Sequence, residues 1–458
     1  MNDSSATERL LFPEIFAKPV VLEFDQRQGS SDGGAVLLKA AEQRYGLIAS
    51  MADCLRDPRQ AGKVDHSLRD LFAQRVFSIG CGYADANDSA RLAADPMHKM
   101  LLDRDPVTGL GMASQPTLSR FENGAGSRQL YNMGAALAES VIERHATRLH
   151  HRARLVTIDL DPTDDPTHGA QQLSFFNSHY DNACYLPMMG FVTFNDEAEQ
   201  YLCAAVLRPG NVTAAAGAVG IVRRLMALVR NSFPKVRIRI RLDGGFANPE
   251  LLSFLDSEPG VEYVVAMASN AVLNRKAEEA MQYARALAGL TDQTEHVYSE
   301  ARYAAGSWKR ERRVIIKAEV VRAEQKAPKD NPRFVITNMK QTPQWLYEQV
   351  YCQRGEIENR IKELHAMEID RTSCSLFWAN QFRVLLTAAA YVLMQELRLS
   401  AAGTNCARAQ VWTLRERFLK LGARVMISVR RMVVHLPQSF PFLTTFQHMA
   451  MELGASPR

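Results

Sequence analysis

The chain has 458 residues, of which 47% are apolar and 23% are charged. This composition is typical of a globular protein and excludes a wholly disordered or collagen-like chain. Fifty-five Lys and Arg against fifty Asp and Glu leave a formal net charge of +5, so net charge alone does not indicate nucleic-acid binding. The length predicts about three domains.

The sequence indicates neither a membrane protein nor a secreted one. No apolar run reaches the roughly 18 residues of a membrane span, and the first thirty residues lack the basic start and apolar core of a signal peptide. The seven cysteines are scattered and form no Cys-x-x-Cys pair, which argues against a disulfide framework or a zinc knuckle. We therefore expect a cytoplasmic protein that does not associate with a membrane.

Residues 1–150 carry mainly helical patterns, and the pattern changes after Arg152. Short apolar or alternating runs then predict strands at 155–161, 183–194, 200–207, 236–242 and 261–267, and helices at 214–233 and from Asn248 onward. The order β-β-β-α-β-α-β predicts an α/β fold, with a mixed sheet that has helices on its faces.

Residues 269–333 interrupt this order with one helical and two strand-like patterns. Strand character resumes at 334–337, and Thr342 followed by Pro343 predicts the start of a long helix that reaches about Met367. We predict a helical region at 1–150 and a core formed by 151–268 together with 334–400. A β-containing insertion domain is predicted at 269–333, and a basic helical C-terminal region at 401–458.

Acidic residues stand where two of the predicted strands end. Asp159 and Asp161 share one face of the first strand, and Asp243 follows the alternating strand 236–242 and precedes two glycines. Each position also fits an ordinary solvated turn. Because an uncompensated buried charge is costly, a strand that ends in two carboxylates also suggests a cation ligand.

The helix after Pro343 presents an unusual face. Tyr351, Arg354, Glu358 and His365 are spaced so that all four lie near one side of the helix. A solvated salt-bridge face is the alternative, and Glu358 with Lys362 fits it. Carboxylate oxygens in this number suit Mg²⁺ or Mn²⁺ rather than zinc, and two such ions can promote phosphodiester cleavage.

In the order and spacing of these residues, the sequence resembles the DDE transposases, which have a ribonuclease H-like fold. Tyr351, Arg354 and Glu358 match the first three members of that family's Y-(2)-R-(3)-E-(6)-K signature. The strings from Asp161 to Gly169 (DPTDDPTHG) and from Tyr351 to Arg360 (YCQRGEIENR) are most similar to the insertion-sequence family 1380.

The resemblance implies which carboxylates act. The D-x-T form selects Asp161 over Asp159, and the signature selects Glu358 over Glu356. The implied catalytic and metal-binding residues are thus Asp161, Asp243 and Glu358, with two Mg²⁺ or Mn²⁺ ions. The fourth signature position, where the family has a lysine as a basic contact, holds His365, and Lys362 can substitute for that lysine, so both His365 and Lys362 are predicted to contact DNA.

The family further implies a bacterial transposase that binds the terminal inverted repeats of its element, cleaves their phosphodiester bonds and joins the 3′-OH ends to target DNA. A homodimer on double-stranded DNA is expected. Two alternatives stay open: a catalytically silent or regulatory DNA-binding protein derived from a transposase, and a ribonuclease H-like nuclease without strand transfer.

Several basic and aromatic residues are predicted to contact DNA. Arg354 can bind a phosphate or pair with Glu358, and Tyr351 can contact DNA or pack in the core. The inserted segment combines an aromatic ring with cations, although the ring can equally anchor a small sheet. The predicted contacts outside the signature are Trp308, Lys309, Arg310, and Arg415 of the basic block 408–431.

The string from Ser114 to Asn123 resembles the start of a helix-turn-helix recognition helix. Gln115 and Arg120 are its predicted contacts with DNA, whereas Leu118 and Phe121 are expected in the core. We therefore predict that residues 1–150 recognise the DNA ends.

Overall fold

The computed structural model describes residues 9–323 and 326–457. An antiparallel hairpin of β1 (Leu10–Phe12) and β2 (Val20–Leu22) comes first, and the short strand β3 (Gly29–Ser30) follows it. The next part of the chain is helical: α1 (Val36–Tyr45), α2 (Leu47–Ala52), α3 (Leu68–Gly80), α4 (Ala86–Arg91), α5 (Pro96–Leu101), α6 (Gln115–Glu122) and α7 (Ser127–Arg148).

A change to strands follows α7, as the sequence pattern predicts. The elements of this part are β4 (Leu155–Pro162), β5 (Asp165–Pro166), β6 (Phe175–Asn177), β7 (Asn182–Tyr185), β8 (Met188–Phe194), β9 (Tyr201–Val206), α8 (Ala218–Ser232), β10 (Arg237–Leu242), α9 (Pro249–Ser257) and β11 (Val261–Met267). The predicted strand 183–194 is divided into β7 and β8, and β7 pairs with β5 and β6 in a small separate sheet.

The main sheet has the order β9-β8-β4-β10-β11 in this part of the chain. Strands β9, β8 and β4 are antiparallel neighbours, whereas β4, β10 and β11 run parallel. In β10 the side chains alternate: Ile238 and Ile240 are buried in the core, and the arginines between them face the other side of the sheet. This mixed α/β architecture is consistent with the fold of DDE transposases. The alternation in β10 places Arg241 on the face of the sheet opposite to Ile238 and Ile240.

The segment 269–333 extends this sheet. Its elements are α10 (Ala271–Thr291), β12 (Glu295–Tyr303), β13 (Arg312–Val321) and β14 (Lys329–Asp330), and β15 (Arg333–Thr337) follows. Strand β15 pairs antiparallel with both β11 and β13, and β13 pairs with β12. The predicted insertion segment therefore shares its sheet with the flanking strands.

The long helix predicted from Pro343 is present, but its hydrogen bonding changes along its length. It begins as α11 (Pro343–Trp345), continues as a π-helical turn (Leu346–Tyr351) and a 3-10 turn (Cys352–Gly355), and ends as α12 (Glu356–Ala366). The remaining elements are α13 (Phe377–Ser400), α14 (Val411–Leu414), a π-helical turn (Arg415–Leu419), β16 (Ala423–Ile427), β17 (Met432–His435) and α15 (Leu443–Glu452).

Helix α13 joins the N-terminal helices to the sheet. It packs against α3, α7 and β9, and most of its side chains are buried, including Phe382 and Tyr391. Across the residues that the structure describes, no helix combines the length and the apolar character that crossing a bilayer requires.

The two ends of the chain also pack together. Strand β3 pairs with β16 through Ser30 and Ala423. A Cβ atom at Gly34 would lie 1.6 Å from the carbonyl oxygen of Phe418, so the close approach of these two backbones requires glycine. The N-terminal helical region and the C-terminal segment are therefore in direct contact.

Candidate active site

Two of the predicted carboxylates meet at one edge of the sheet. Asp161 lies near the carboxyl end of β4, and Asp243 follows directly after β10. The two strands are parallel neighbours with Asp159 opposite Arg241, so Asp161 and Asp243 come next in the same register. The Oδ1 atom of Asp243 accepts a hydrogen bond of 2.8 Å from the backbone N–H of Gly245, which fixes the turn after the strand.

The neighbouring carboxylate, Asp159, has other partners. It is fully buried and accepts two hydrogen bonds from Arg241, of 2.6 Å to Oδ1 and 2.8 Å to Oδ2. Gln200 donates a further bond of 2.9 Å to Oδ2. Because both oxygens of Asp159 are used, this residue neutralises the buried arginine and Asp161 is the carboxylate left at the sheet edge.

Arg354 lies between the two edge aspartates. Its Nη2 atom is 2.7 Å from Asp161 Oδ1 and 3.5 Å from Asp243 Oδ2. Burial opposes the charged form of Arg354, but the carboxylates of Asp161 and Asp243 raise its pKa above the ordinary value. The guanidinium thus supplies positive charge at the point where two negative charges converge.

The pKa of Asp161 is raised to about 7, mainly by burial and in addition by the carboxylates of Asp243 and Glu358, against the opposing effect of Arg354. Such a shift arises where like charges share a desolvated site. Glu358 is exposed in the first turn of α12, and its part as the third ligand stays a prediction.

His365 forms a bridge between elements of the site. Its Nε2 atom lies 3.0 Å from Oγ1 of Thr163, just beyond Asp161, and its Nδ1 atom lies 3.0 Å from Oδ2 of Asp370. Both ring nitrogens therefore have protein partners. Lys362, on the same helix, is exposed.

Tyr351 completes the signature face. Its half-buried ring packs against Tyr347 at a centroid distance of 5.5 Å. Burial raises the pKa of Tyr351, Arg354 opposes this shift, and Asp243 adds to it. The packing of the ring fits the core alternative, and a contact of Tyr351 with DNA stays a prediction.

A polar cleft of about 690 Å³ adjoins this face of the sheet. Its lining includes Arg241 beside Asp159, and Arg360, which forms an ion pair of 3.0 Å with Glu199. Arg408, from the basic block 408–431, lies at its margin and is exposed. The lining carries charges of both signs, because Asp196, Glu197, Glu199 and Glu356 accompany its arginines.

The other predicted DNA contacts lie away from the acidic edge. Trp308 packs under Arg312, whose guanidinium carbon is 4.8 Å from the ring centroid, so the ring anchors the sheet. Arg310 donates a hydrogen bond of 2.9 Å to Asp256, while Lys309 is exposed.

On α6, Arg120 is exposed and Gln115 is half-buried, and Leu118 and Phe121 are buried as expected. Arg415 points inward, because its Nε atom donates a hydrogen bond of 3.1 Å to the carbonyl oxygen of Gly80. Its role in DNA binding stays a prediction, and its contact in this structure is with the protein.

Sequence reasoning missed a second charged cluster. Asp32, Cys81 and His98 are buried with potential ligand atoms within 4.8 Å of one another. Nε2 of His98 is 2.9 Å from Asp32 Oδ2, and Nζ of Lys420 is 2.9 Å from Asp32 Oδ1. Because an ammonium group already neutralises Asp32, this cluster has the character of a structural ion network. Asp32, Cys81 and His98 lie on separate elements and Lys420 lies more than three hundred residues further along the chain, so no local sequence pattern predicts the cluster.

A comparison with protein families identifies the family of the chain. The family described as transposase DDE domain, group 1, matches residues 12–457, nearly the whole chain. The chain belongs to this family of DDE transposases. No curated protein matches the chain. Membership supports a transposase function and implies DNA binding, and the family generally uses divalent metal ions.

Proposed function

We propose that the chain is an active transposase of the insertion-sequence family 1380. It binds the terminal inverted repeats of its element, cleaves phosphodiester bonds there and joins the freed 3′-OH ends to target DNA. The observation that carries this proposal is the convergence of Asp161 and Asp243 on Arg354 at the edge of the sheet. The strand order β9-β8-β4-β10-β11, with β4, β10 and β11 parallel, supports a ribonuclease H-like core.

The donor set fits divalent cations. Asp161, Asp243 and Glu358 offer carboxylate oxygens alone, which suit Mg²⁺ or Mn²⁺. Burial is the main cause of the raised pKa of Asp161, and the negative charges of Asp243 and Glu358 add to it; a bound cation would stabilise the ionised carboxylate. Two ions, when bound, activate the attacking oxygen and stabilise the leaving oxygen of the phosphodiester.

The protein positions the DNA backbone around these carboxylates. When divalent cations neutralise the aspartates, the guanidinium of Arg354 is free to donate two hydrogen bonds to a phosphate, because its geometry matches that of a phosphate group. Tyr351 borders the same point, and the exposed Lys362 lies on the helix that carries Glu358. His365 holds the position of that helix relative to Thr163, so its part is to position Glu358.

DNA binding away from the acidic edge is assigned to exposed cations. Arg120 and Gln115 are the side chains of α6 that recognise the DNA ends. In the inserted segment, the exposed Lys309 binds a phosphate. In the basic block 408–431, Arg408, Arg430 and Arg431 are exposed whereas Arg415 faces the protein, so the exposed members are the stronger candidates for phosphate contacts. The working assembly is a homodimer on double-stranded DNA in the bacterial cytoplasm.

The test is cleavage of a plasmid that carries the DNA flanking this gene, with Mg²⁺ and with EDTA. Asp161→Asn, Asp243→Asn and Glu358→Gln should each abolish metal-dependent cuts at discrete ends while end binding persists. Glu356→Gln is the matched control, because Glu356 is exposed on the same helix and should not be needed.

The alternatives predict different results. A ribonuclease H-like nuclease would cut DNA without joining the ends to a target. A silent or regulatory protein would bind the ends and leave them uncut. A Glu358→Gln variant that still cleaves would remove Glu358 from the proposed ligands.

A further inference from the structure

We propose that the N-terminal hairpin holds two copies of this chain together before DNA binds. We call residues 9–24, which include β1 and β2, the N-terminal arm. The inference goes beyond the proposed function, which brings two copies together only on DNA. It rests on surfaces that lie outside the acidic edge of the sheet.

The arm has little support from its own chain. Strands β1 and β2 pair only with each other among the described residues, with Leu11 opposite Val21 at the centre. An isolated two-stranded hairpin is marginally stable at best in water. The arm therefore needs a packing partner if it is to keep this structure.

The arm also exposes an unusual amount of apolar surface. Eight of its large apolar side chains are between 40% and 84% exposed: Leu10, Leu11, Phe12, Ile15, Phe16, Val21, Leu22 and Phe24. Because consecutive side chains of a strand point to opposite faces, both faces of the hairpin carry exposed apolar side chains, and exposed apolar surface of this extent marks an interaction site.

The charges of the arm favour a protein partner over DNA or an anionic membrane. Residues 9–24 contain two basic side chains, Arg9 and Lys18, and two acidic ones, Glu14 and Glu23. Arg9 and Glu23 form an ion pair of 2.8 Å. With no basic excess to attract phosphate, association must rest on burial of the apolar side chains.

A complementary apolar surface lies at the same end of the molecule. We call β16, β17 and the turn between them the C-terminal hairpin, and it exposes Met426, Ile427, Val429 and Met432. Strand β3 pairs with β16, and the backbone N–H of Val425 donates a hydrogen bond of 2.8 Å to the carbonyl oxygen of Gln28. Because only residues 25–28 separate the arm from β3, the arm begins beside the C-terminal hairpin.

These two surfaces make the chain self-complementary. In a twofold dimer, the arm of each copy can pack on the C-terminal hairpin of the other copy. The dimer then contains two equivalent contacts, and the arm and the hairpin of each copy are both buried. A second copy of the chain is therefore the occupant that this geometry assigns to the arm.

The test is the mass of the full-length protein in solution, measured by analytical ultracentrifugation over a range of concentrations without DNA or metal. Wild type should be a dimer. Phe16→Glu in the arm and Ile427→Glu in the C-terminal hairpin should each raise the dimer dissociation constant by roughly thirtyfold or more, the effect of losing one well-buried anchor residue. Leu290→Glu is the matched control, because Leu290 is 84% exposed at the end of α10 and should leave the dimer unchanged.

All three positions are exposed in the single chain, so circular dichroism should show the same fold and melting temperature for the variants at concentrations where wild type is monomeric. A wild-type protein that is monomeric throughout the range would overturn the proposal. So would a dimer that both the arm and hairpin variants leave intact. Since no cleavage is measured, a failure of the proposed catalytic function would not change any of these outcomes.

Discussion

The guanidinium group of Arg354 contacts both aspartates at the edge of the sheet. Its Nη2 atom lies 2.7 Å from Oδ1 of Asp161 and 3.5 Å from Oδ2 of Asp243. The arginine thus neutralises the carboxylates at the point where divalent cations are proposed to bind. A cation that binds there competes with the guanidinium for the same oxygens.

This competition can be measured with Arg354→Gln. Without the guanidinium the aspartates have no positive partner, so Mg²⁺ should raise the melting temperature of the variant more than that of wild type. Cleavage should nevertheless fall by roughly a hundredfold, because a charge that stabilises the reacting phosphate is lost. Differential scanning fluorimetry with and without Mg²⁺, beside a cleavage assay, provides both readouts.

Arg371→Gln is the control for this experiment. Arg371 forms an ion pair of 2.8 Å with Asp85 at the protein surface, so its loss should not alter the effect of Mg²⁺. Equal Mg²⁺ responses in Arg354→Gln and wild type would show that the guanidinium does not oppose cation binding.

His365 is expected to position Glu358. In His365→Ala the hydrogen bonds to Thr163 and Asp370 are lost, which should lower the free energy of unfolding by roughly 1–2 kcal/mol and slow cleavage, with little change in DNA affinity. Urea denaturation, a cleavage assay and a DNA-binding titration separate these effects.

Lys362→Ala should show the opposite pattern, because Lys362 is exposed on the same helix. We expect weaker DNA binding with a smaller salt dependence and an unchanged stability. If His365→Ala weakens DNA binding as strongly as Lys362→Ala, the histidine contacts DNA directly, as the signature position alone predicts.

The buried ion network around Asp32 should be important for stability. Asp32→Ala leaves His98 and Lys420 without their shared carboxylate, and removal of one partner from a buried pair costs roughly 3–5 kcal/mol. Urea denaturation at neutral pH measures this loss. Asp103→Ala is the comparison, since Asp103 is a mostly exposed partner of Lys39 and should contribute no more than about 1 kcal/mol.

Asp165 predicts a specific pH dependence. Burial raises its pKa to about 8, the hydroxyl of Thr372 opposes this shift by donating to the carboxylate, and Asp370 and Asp164 add to it. Between pH 4 and 8 the folded protein therefore retains a proton that the unfolded chain releases, so the contribution of Asp165 to stability falls as pH rises through this range.

In Asp165→Asn this contribution is absent. The free energy of unfolding of the variant should therefore decrease less than that of wild type between pH 5 and pH 8. Urea denaturation of both proteins at the two pH values gives the comparison, and parallel decreases would place the pKa of Asp165 in its ordinary range.

Much of this architecture could be predicted from local sequence patterns. The alternation of β10, the strands β4 and β9 and the proline-led helix appear close to where periodicity places them, because each depends on neighbouring residues, whereas the predicted strand 183–194 is divided into β7 and β8. The family resemblance selects Asp161 over Asp159, and the structure gives a physical reason that the strand pattern lacks: Asp159 is fully occupied by Arg241 and Gln200.

Features that depend on distant parts of the chain could not be predicted. Pairing of β15 with both β11 and β13 makes residues 269–333 part of the main sheet, and no local pattern reveals such a pairing. The number of charged residues in 408–431 likewise does not predict which side chains face solvent and which face the protein interior. Arg415 bonds to Gly80 and Lys420 pairs with Asp32, so these two cations contribute to the protein interior while others of the block remain exposed.

The contact between the two ends of the chain has a consequence for synthesis. Gly34 packs against the backbone of Phe418, and Asp32 pairs with Lys420, so the N-terminal helices lack part of their core until residues 418–420 have been synthesised. Folding of this region is thus completed only after these residues leave the ribosome. A gene copy that is truncated before codon 418 should give an unstable polypeptide that proteases remove, instead of a shortened protein that still occupies the DNA ends.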